Sequence, residues 1–392
     1  MRVLAVTTPA YGHFHPMLPM ARALTASDHD VLFVTSADFA PRVEAAGFEV
    51  QTAGISGEEA GAQVRQRFPD LADIAPEEGW RRGLRMFAAV IAPSAAPALI
   101  GIAGDWKPDL VLFESAAFAG PLVAAKIGVP SVEQSFGRLR QKQWQDLAYE
   151  LLVPLWQEHG LDSRPRAEMY KYLYLDICPP SLQSERVRDI ATARPTMPVP
   201  IDSAGESLPD WIDALPNERT IYVTLGTVFN KDVSLFSKII EAAQGLSANV
   251  IVTIGNSGDP EALGPQPPNV FIERYIPQSL LFDRCDLVVS HGGSGTMLAA
   301  LGHGIPLLML PQGADQFRNS LACDRAGVSL SLEPDEQQTD GIKGCIEQLL
   351  ADVSFRQSAM RIKAEIAAMP EPAVLVPVLE GVARQGATEK KQ

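Results

Sequence analysis

A histidine that follows the first apolar strand of the sequence could act as a base. His13 lies in TTPAYGHFHPMLPMARAL (Thr7–Leu24), where a strand gives way to a loop and then to a helix with Pro16 near its start. A neutral imidazole is the side chain best matched to accepting a proton near pH 7. His13 is therefore the candidate base, and the alternative is a histidine bonded to its own turn. His15 is a second candidate, which could instead contact a substrate or cap the helix.

A carboxylate at the end of another strand could support this base. In PDLVLFESAAFAG (Pro108–Gly120) the predicted strand ends at Glu114. Because the carboxyl ends of parallel strands share one edge of a sheet, Glu114 and His13 are expected to point into the same crevice. A carboxylate in that position fixes the tautomer of a histidine and stabilises its protonated form. The alternative is that Glu114 caps the helix that follows.

A glycine-rich turn in the second half is suited to binding an anion. LVVSHGGSGTMLAALGHGIPLLML (Leu287–Leu310) runs from a strand through this turn into a helix pattern. Glycine lets a backbone approach an anion closely, and the N–H groups and dipole of a helix start favour phosphate. The Walker lysine is missing, and Leu298 replaces the last glycine of the dinucleotide pattern. Ser294 and Thr296 could cap the helix; the alternative is a tight turn that packs helix on sheet.

Three further segments are expected near this turn. TLGT, RYIPQSLLF and PQGADQFRN each lie at or just beyond the carboxyl end of a predicted strand. They offer an aromatic ring for a nucleobase, carboxylate and amide groups for sugar hydroxyls, and hydrogen-bond donors for a phosphate. The residues concerned are Tyr275, Asp315, Gln316, Gly226 and Thr227.

The elements that must position these residues are strands buried on both faces. Short runs rich in Val, Ile and Leu alternate with helical stretches and are bounded by Gly, Pro or Asp. This pattern is typical of an α/β fold with doubly wound, Rossmann-like parallel sheets. The predicted strands lie near Val3–Thr7, Val31–Thr35, Asp109–Phe113, Pro130–Glu133, Ile221–Leu225, Val250–Ile254, Val270–Ile272, Leu287–Ser290 and Pro306–Leu310.

A proline-rich segment predicts two domains in series. Ala193–Glu218 contains five prolines and has no strand pattern, and a strand restarts at Ile221. A chain of 392 residues is also too long for one compact core. We predict one domain over 1–200, a linker over 201–218 and a second domain over 219–370.

Composition excludes several classes of function. The net charge of −14 disfavours nucleic-acid binding, and no run of ~18 apolar residues predicts a membrane span. The start MRVLAVTT is expected to be a strand rather than a signal peptide. The four cysteines lack metal-ligand spacing and fit a reducing cytoplasm. DHD (Asp28–Asp30) resembles a metal-binding aspartate motif, but it lies at the other end of the predicted sheet and is expected to be a solvated turn.

The order TLGT, YIPQ, SHGGSGT and PQGADQFRN, with GHFHP near the start, resembles the family 1 glycosyltransferases of GT-B fold. The similarity covers essentially the whole chain and is greatest to bacterial enzymes that decorate natural products. It implies two facing Rossmann-like domains, the first for a small acceptor and the second for a nucleotide sugar. It also implies a last helix, 371–386, that returns to the first domain. The implied reaction is sugar transfer with inversion, without a metal and without a cofactor.

The resemblance also assigns roles to residues. His13, three residues before Pro16, matches the catalytic histidine, and Glu114 lies where the family commonly has Asp. Ala299 stands where many relatives have a Glu that grips both ribose hydroxyls, which favours a thymidine diphosphate donor over a uridine diphosphate donor. The donor-binding residues implied, from base to phosphate, are Tyr275, Ile276, Gln278, Asp315, Gln316, Thr227, His291, Gly293, Ser294, Gly295 and Thr296.

The acceptor side is less well defined by the sequence. Aromatic residues between 80 and 170 could line an apolar pocket, and Phe136 and Trp144 follow a strand end. Together with His15 they are the candidate acceptor contacts. The alternatives are a nucleotide-sugar epimerase or hydrolase of the same fold, a non-catalytic partner of another transferase and, more distantly, an NAD-dependent oxidoreductase. A monomer and a homodimer are both compatible with the sequence.

Overall fold

The chain forms two compact units in the computed structural model, which describes residues 1–162, 165–201, 207–226, 233–255 and 258–389. The amino-terminal unit comprises Met1–Cys178, Gln183–Val199 and Met369–Gln392. The carboxy-terminal unit comprises Pro179–Leu182 and Pro200–Ala368. Each unit contains its own parallel sheet, as the α/β prediction requires.

The amino-terminal unit is built on seven parallel strands in the order β3-β2-β1-β4-β5-β6-β7. The strand order reverses between β1 and β4, where Leu4 lies opposite Val111. In such sheets the crevice beyond the carboxyl ends at the reversal is the usual ligand site. The strands are β1 (Arg2–Val6), β2 (Asp30–Thr35), β3 (Glu49–Thr52), β4 (Leu110–Glu114), β5 (Ser131–Gln134), β6 (Leu173–Asp176) and β7 (Ala193–Pro195).

Helices cover the sheet of the amino-terminal unit. Apolar strand residues such as Val111 and Phe113 pack against helix residues such as Leu99 and Leu122 in one core. Burial of this apolar surface is the main force that holds helix on sheet. The helices are α1 (Tyr11–Phe14), α2 (Leu18–Ala26), α3 (Ala40–Ala45), α4 (Gly57–Arg67), α5 (Trp80–Arg85), α6 (Ala92–Trp106), α7 (Ala119–Ile127) and α8 (Lys142–Glu158).

One helical stretch, Pro76–Trp106, is long and apolar enough to cross a membrane by length and composition, so the expectation that no such run exists is wrong. The stretch contains α5, a π-helical turn at Met86–Ile91 and α6. One face of it belongs to the core of the amino-terminal unit, which is typical of a core helix. The core residues on this face include Leu84, Ala88, Ala92, Ala96 and Leu99.

The carboxy-terminal unit has six parallel strands in the order β10-β9-β8-β11-β12-β13, which is the doubly wound Rossmann order. The order reverses between β8 and β11, where Val289 lies opposite Val223. The strands are β8 (Arg219–Thr224), β9 (Ala248–Thr253), β10 (Val270–Glu273), β11 (Leu287–Ser290), β12 (Leu307–Met309) and β13 (Ser329–Ser331). The helices are α9 (Val233–Ala243), α10 (Gln278–Phe282), α11 (Ser294–Gly302), α12 (Gln316–Arg325), α13 (Thr339–Ala351) and α14 (Val353–Ala367).

The last helix, α15 (Pro372–Glu389), belongs to the amino-terminal unit and contacts α2. Nε2 of His29 donates to Oε1 of Glu380 on this helix at 3.1 Å. Nδ1 of the same ring accepts from the amino group of Met1 at 3.1 Å. The side chain of His29 is only 11% exposed, so the prediction of a solvated turn at Asp28–Asp30 is wrong for this residue.

Four strands were not expected from the sequence: β3, β6, β7 and β13. The strand β7 lies within the proline-rich segment that has no strand pattern. Proline is tolerated there because β7 is an edge strand. One side of an edge strand has no neighbouring strand, so an N–H on that side is not needed for pairing. The prediction that Ala193–Glu218 contains no strand is therefore wrong at Ala193–Pro195.

Candidate active site

The first part of the site is a hydrogen-bonded histidine and carboxylate at the reversal point of the amino-terminal sheet. His13 lies in α1, directly after β1, and Glu114 is the last residue of β4. Nδ1 of His13 donates to Oε2 of Glu114 at 3.0 Å. The structure therefore brings the predicted pair together. Because Nδ1 carries the hydrogen, Nε2 on the other side of the ring has the lone pair that can accept a proton.

Glu114 is held in place by backbone and side-chain donors. Its carboxylate is fully buried, and Oε1 accepts from the backbone N of Thr8 at 3.2 Å and from its hydroxyl at 2.8 Å. Oε2 also accepts from the backbone N of Ala116 at 2.7 Å. Burial raises the pKa of Glu114, but the charge of His13 and these hydrogen bonds outweigh it and leave the pKa lowered. Glu114 does not cap the next helix, α7, which begins at Ala119.

Aromatic rings surround His13. The ring centre of Phe136 lies 4.4 Å from that of His13, and the ring centre of Phe87 lies 5.0 Å away. Phe136 is thus beside the candidate base. Trp144 packs on Phe118 within the core, and both Trp144 and Phe136 are buried, at 6% and 8% exposed. Their contact with an acceptor stays a prediction. Phe87 is one of the aromatic residues between 80 and 170 that were expected to be able to line an apolar pocket, and it lies beside the candidate base as well.

His15 lies in a short 3₁₀ turn after α1 and is not placed beside a carboxylate. Burial and, to a smaller extent, the nearby charge of Arg22 lower its pKa to about 4. Its ring packs at 5.1 Å from that of Tyr11. A group with this pKa is neutral near pH 7 but is a weak base. His13 is therefore the better candidate of the two histidines.

The second part of the site is the glycine turn at the reversal point of the carboxy-terminal sheet. Helix α11 begins at Ser294 with Gly293 as its N-cap residue, and no side chain caps it. The prediction that Ser294 or Thr296 caps the helix is wrong, because Ser294 lies inside the first turn and its hydroxyl donates to Oδ2 of Asp315 at 2.8 Å. A helix start without a side-chain cap offers its backbone N–H groups to an anion.

The imidazole of His291 explains two of the glycines. A Cβ atom at Gly226 would lie 2.4 Å from this ring, and a Cβ atom at Gly293 would lie 2.5 Å from it. Gly226 also has a positive φ of +73°, which other residues rarely adopt. Burial lowers the pKa of His291 to about 4, although the charge of Asp315 and a hydrogen bond to the backbone of Thr224 oppose the shift. His291 is therefore neutral near pH 7.

A different reason applies to Gly295. A Cβ atom there would meet no protein atom within 4 Å, and the residue is exposed. The packing of the unit does not require glycine at this position. Open space over the first turn of α11 is what an anion at the helix start would need.

Asn319 was not among the predicted site residues, although it belongs to the segment PQGADQFRN. Its side-chain amide is 1% exposed and donates to the carbonyl of Gly292 at 3.0 Å and to the hydroxyl of Ser294 at 3.1 Å. It also lies 3.3 Å from Oδ2 of Asp315. One side chain thus ties the glycine turn to the start of α12. Its position at the end of the motif PQGADQFRN was the available sequence signal.

Asp315 and Gln316 lie at the start of α12 but differ in their surroundings. Asp315 is partly exposed and follows Ala314, which has an unusual positive φ of +54°. Gln316 is 2% exposed, and its Oε1 accepts from the backbone N–H groups of Gln312 and Gly313. The oxygen of Gln316 therefore shapes its own turn, and its contact with a sugar stays a prediction.

The residues predicted for the nucleobase and ribose follow β10. Tyr275 is 52% exposed, which suits a stacking surface, whereas Ile276 is buried. Gln278 donates from Nε2 to the hydroxyl of Tyr222 at 2.9 Å, so this nitrogen faces the sheet. Thr227, the predicted phosphate contact beside Gly226, lies outside the described residues.

Both halves of the chain match models of one family. Residues 22–226 match the amino-terminal domain of the erythromycin biosynthesis protein CIII-like family, and residues 237–382 match its carboxyl-terminal domain. These matches cover most of the chain. The chain belongs to this family and is a natural-product glycosyltransferase.

Relatives along the full length support the same assignment. The glycosyltransferase is 32% identical to the L-demethylnoviosyl transferase of Streptomyces niveus over 390 residues, covering 98% of each chain. It is also 32% identical to the elloramycin glycosyltransferase ElmGT of Streptomyces olivaceus over 389 residues, covering 95% of each chain.

Among solved structures, the spinosyn rhamnosyltransferase SpnG is 29% identical, with a TM-score of 0.82 over 97% of this chain and 100% of that chain. SpnG has also been solved with thymidine diphosphate and with the spinosyn aglycone. The GT-B fold of this glycosyltransferase, expected from the sequence, is confirmed.

A metal cluster is absent from the described parts of the glycosyltransferase, and one small cavity lies in its amino-terminal unit. In those parts no three His, Cys, Asp or Glu side chains are grouped as metal ligands. A cavity of about 20 Å³ lies at the carboxyl ends of β1 and β2, with Thr8, Thr35 and Phe118 in its wall. This volume holds one water molecule rather than a natural product.

Proposed function

We propose that the enzyme transfers a sugar from a nucleotide diphosphate to a hydroxyl group of a small natural product, with inversion at the anomeric carbon and His13 as general base. The observation that carries this proposal is the 3.0 Å hydrogen bond between His13 and the buried carboxylate of Glu114. A buried carboxylate with several donors stays charged and orients the imidazole. The same arrangement supports a base in many hydrolases and transferases.

The proposed step moves one proton and exchanges one bond. The acceptor hydroxyl gives its proton to Nε2 of His13 while its oxygen forms a bond to the anomeric carbon. The bond from that carbon to the diphosphate oxygen breaks, and the diphosphate leaves with the electron pair. One displacement from the opposite face inverts the configuration. Glu114 stabilises the protonated imidazole. In comparable carboxylate–histidine pairs this stabilisation increases the reaction rate by a large factor.

The diphosphate is proposed to bind at the start of α11. The backbone N–H groups of Ser294, Gly295 and Thr296 lie at the positive end of the helix dipole. His291 is also proposed to lie at the diphosphate, where its neutral ring adds no charge. Preorganised donors of this kind stabilise the charge that develops on a leaving group. We therefore propose that transfer needs no metal ion and no cofactor, and that activity persists in EDTA.

We propose a thymidine diphosphate donor rather than a uridine diphosphate donor. Ala299, on α11, has no group that could bind a ribose 2′-hydroxyl. The structural relative SpnG, which was solved with thymidine diphosphate, supports this choice. Competition by dTDP and UDP against a bound fluorescent dTDP analogue tests it. Tighter binding of dTDP is expected, and much tighter binding of UDP would contradict it.

The main test is transfer to a panel of phenolic, macrolide and amino-sugar acceptors, followed by mass spectrometry, with dTDP- and UDP-sugars in the presence of EDTA. The wild-type enzyme should add a sugar mass, and His13→Ala should lower the rate by about 10²- to 10⁴-fold. The matched control is His303→Ala, since His303 also pairs with a carboxylate, Asp283, at 2.9 Å but in the carboxy-terminal unit. Unchanged transfer by His13→Ala would overturn the role of the base. Retained configuration in the product would overturn inversion.

A further inference from the structure

A second buried carboxyl group lies one strand away from Glu114. Glu133 is on β5, next to β4 in the sheet, and is 1% exposed. Its Oε1 lies 2.7 Å from the hydroxyl oxygen of Ser115, and its Oε2 accepts from the backbone N of Tyr170 at 3.3 Å. The mechanism proposed above does not use this group. A fully buried carboxyl group is rarely kept without a function in structure or chemistry.

The partner of Glu133 belongs to the turn that holds Glu114. Ser115 directly follows Glu114, and the next residue, Ala116, donates its N–H to Oε2 of Glu114 at 2.7 Å. The same oxygen accepts from Nδ1 of His13 at 3.0 Å. An unbroken series of contacts therefore runs from Glu133 through the turn to the base. A shift of this turn would move the carboxylate that orients His13.

The surroundings of Glu133 favour its protonated form. The pKa of Glu133 is raised to about 8, mainly by burial. Hydrogen bonds from Ser115 and Tyr170 and the charge of Arg140 oppose this shift, and the charge of Glu114 adds to it. As a neutral acid, Glu133 donates from Oε1 to the hydroxyl of Ser115. That hydroxyl then donates to the carbonyl of Gln134, 3.4 Å away. Every polar atom of the acid and of the serine side chain has a partner in this state.

We propose that Glu133 is a positioning residue that, as a neutral acid, fixes the Ser115–Ala116 turn and through it the pair of Glu114 and His13. This role rests on the proposed function, because it concerns the same base. It also explains how two carboxyl groups can lie close together in one core, since only Glu114 carries a charge. The groups that face Glu133 from neighbouring elements are Glu114 on β4, Arg140 before α8, Tyr170 before β6 and Tyr174 on β6.

Glutamine is the isosteric copy of the proposed neutral state. In Glu133→Gln the amide NH₂ can donate to Ser115, and the amide oxygen can accept from Tyr170, so kcat near pH 7 should stay close to that of the wild type. Glu133→Ala and Ser115→Ala remove the contact. Their kcat should fall by about tenfold to 100-fold with little change in the donor KM, because the base is misplaced. Ser115→Ala keeps the experiment decisive if Glu133→Ala does not fold.

Thermal unfolding tests protonation independently of activity. A folded pKa raised above the unfolded value means that the protonated carboxyl stabilises the fold at low pH and that this stability is lost as the pH rises towards the folded pKa. Glu133→Gln has no such titration. The Tm of Glu133→Gln relative to that of the wild type should therefore increase as the pH rises from about 5 to about 8. The matched control is Asp176→Asn. Asp176 is a buried carboxyl group on β6, and burial raises its pKa to about 6. It accepts hydrogen bonds from Cys178 and Gln183 and has no contact with Ser115 among those described.

Asp176→Asn should leave kcat unchanged. A wild-type kcat in Glu133→Ala and Ser115→Ala overturns the positioning role. A Tm of Glu133→Gln that falls below that of the wild type as the pH rises overturns the neutral acid. If the wild-type enzyme transfers no sugar, the proposed function and the positioning role fail together, and the unfolding series still decides the protonation of Glu133.

Discussion

Nδ1 of His13 lies 3.0 Å from Oε2 of Glu114, although 101 residues separate the two in the sequence. The fold supplies this proximity, because β1 and β4 are neighbours at the point where the strand order of the amino-terminal sheet reverses. His291 also lies at a reversal point, directly after β11, which takes the place in the carboxy-terminal sheet that β4 takes in the amino-terminal sheet. Each unit thus presents a histidine at its own reversal point, in different surroundings. The first bonds to a buried carboxylate, and the second is enclosed by two glycines.

Replacement of Glu114 by Gln should lower kcat by about 10²- to 10⁴-fold, since an amide cannot stabilise a protonated imidazole as a carboxylate does. The donor KM should change little, because Glu114 lies in the unit that does not contain the glycine turn. Steady-state kinetics with a dTDP-sugar checks both values. Equal losses in kcat and in donor affinity would show that the variant has damaged more than the base. Asp176→Asn serves again as the control for a buried carboxyl changed to an amide.

The same variant should reveal the charge of Glu114 through the pH dependence of unfolding. Its pKa is lowered in the folded protein, so its stabilising contribution is present above the unfolded pKa and is lost as the pH falls through the folded value. In Glu114→Gln this titration is absent, and the NH₂ group faces N–H donors that a carboxylate would satisfy. The Tm of the variant should lie below that of the wild type near pH 7. The gap should narrow below about pH 4.5, and a gap independent of pH would contradict a charged Glu114.

Two alanine substitutions in the glycine turn should separate stability from binding. Gly293→Ala should destabilise the fold, whereas Gly295→Ala should weaken dTDP binding without destabilising it. Gly293→Ala places a Cβ atom 2.5 Å from the ring of His291, so the ring or the turn must move and stability should fall by about 1–3 kcal/mol. Gly295→Ala meets no protein atom and should leave the Tm nearly unchanged. If a phosphate binds over this turn, the added methyl group should still weaken dTDP binding. Calorimetry of dTDP binding checks this, and full affinity in Gly295→Ala would place the diphosphate elsewhere.

The strands whose residues are continuously apolar could be predicted from the sequence. Leu287–Ser290 has the bounds predicted for it, because four buried residues are flanked by Asp and His. Glu49–Thr52 was missed because it is an edge strand with little buried surface, and its residues are mostly polar. Ser329–Ser331 was missed for a similar reason, since it has three residues and two serines. Short edge strands owe their structure to the neighbouring strand rather than to their own periodicity.

Residues that act through others were harder to find than residues that belong to a motif. Glu133 and Asn319 are both nearly fully buried, whereas a sequence pattern treats Glu and Asn as surface residues. Their partners lie in loops that only the folded sheet brings near. His13 and Glu114 could be paired from the sequence because both follow strands, and strand ends in a parallel sheet converge. Motif and topology thus predict the reacting groups, but not the contacts that hold them.

Asn319 offers a test of such a holding role. Its amide joins the carbonyl of Gly292 to the hydroxyl of Ser294, next to Asp315. Asn319→Ala leaves buried acceptors without a donor and should cost about 1–3 kcal/mol of stability. If the network also shapes the donor site, the affinity for dTDP should fall together with the Tm, while kcat at saturating donor changes less.

The control for Asn319 is a second buried asparagine in the same unit. Asn249, on β9, is fully buried. Its amide donates to the carbonyls of Asn217 and Arg219 and to the hydroxyl of Thr220. These contacts lie at the amino-terminal ends of the strands, whereas the glycine turn follows the carboxyl end of β11. Asn249→Ala should therefore lose about 1–3 kcal/mol as well, but should keep its affinity for dTDP. Thermal unfolding and dTDP calorimetry on both variants separate the two effects. Equal loss of dTDP affinity in both would mean that general destabilisation, and not the Asn319 network, weakens the site.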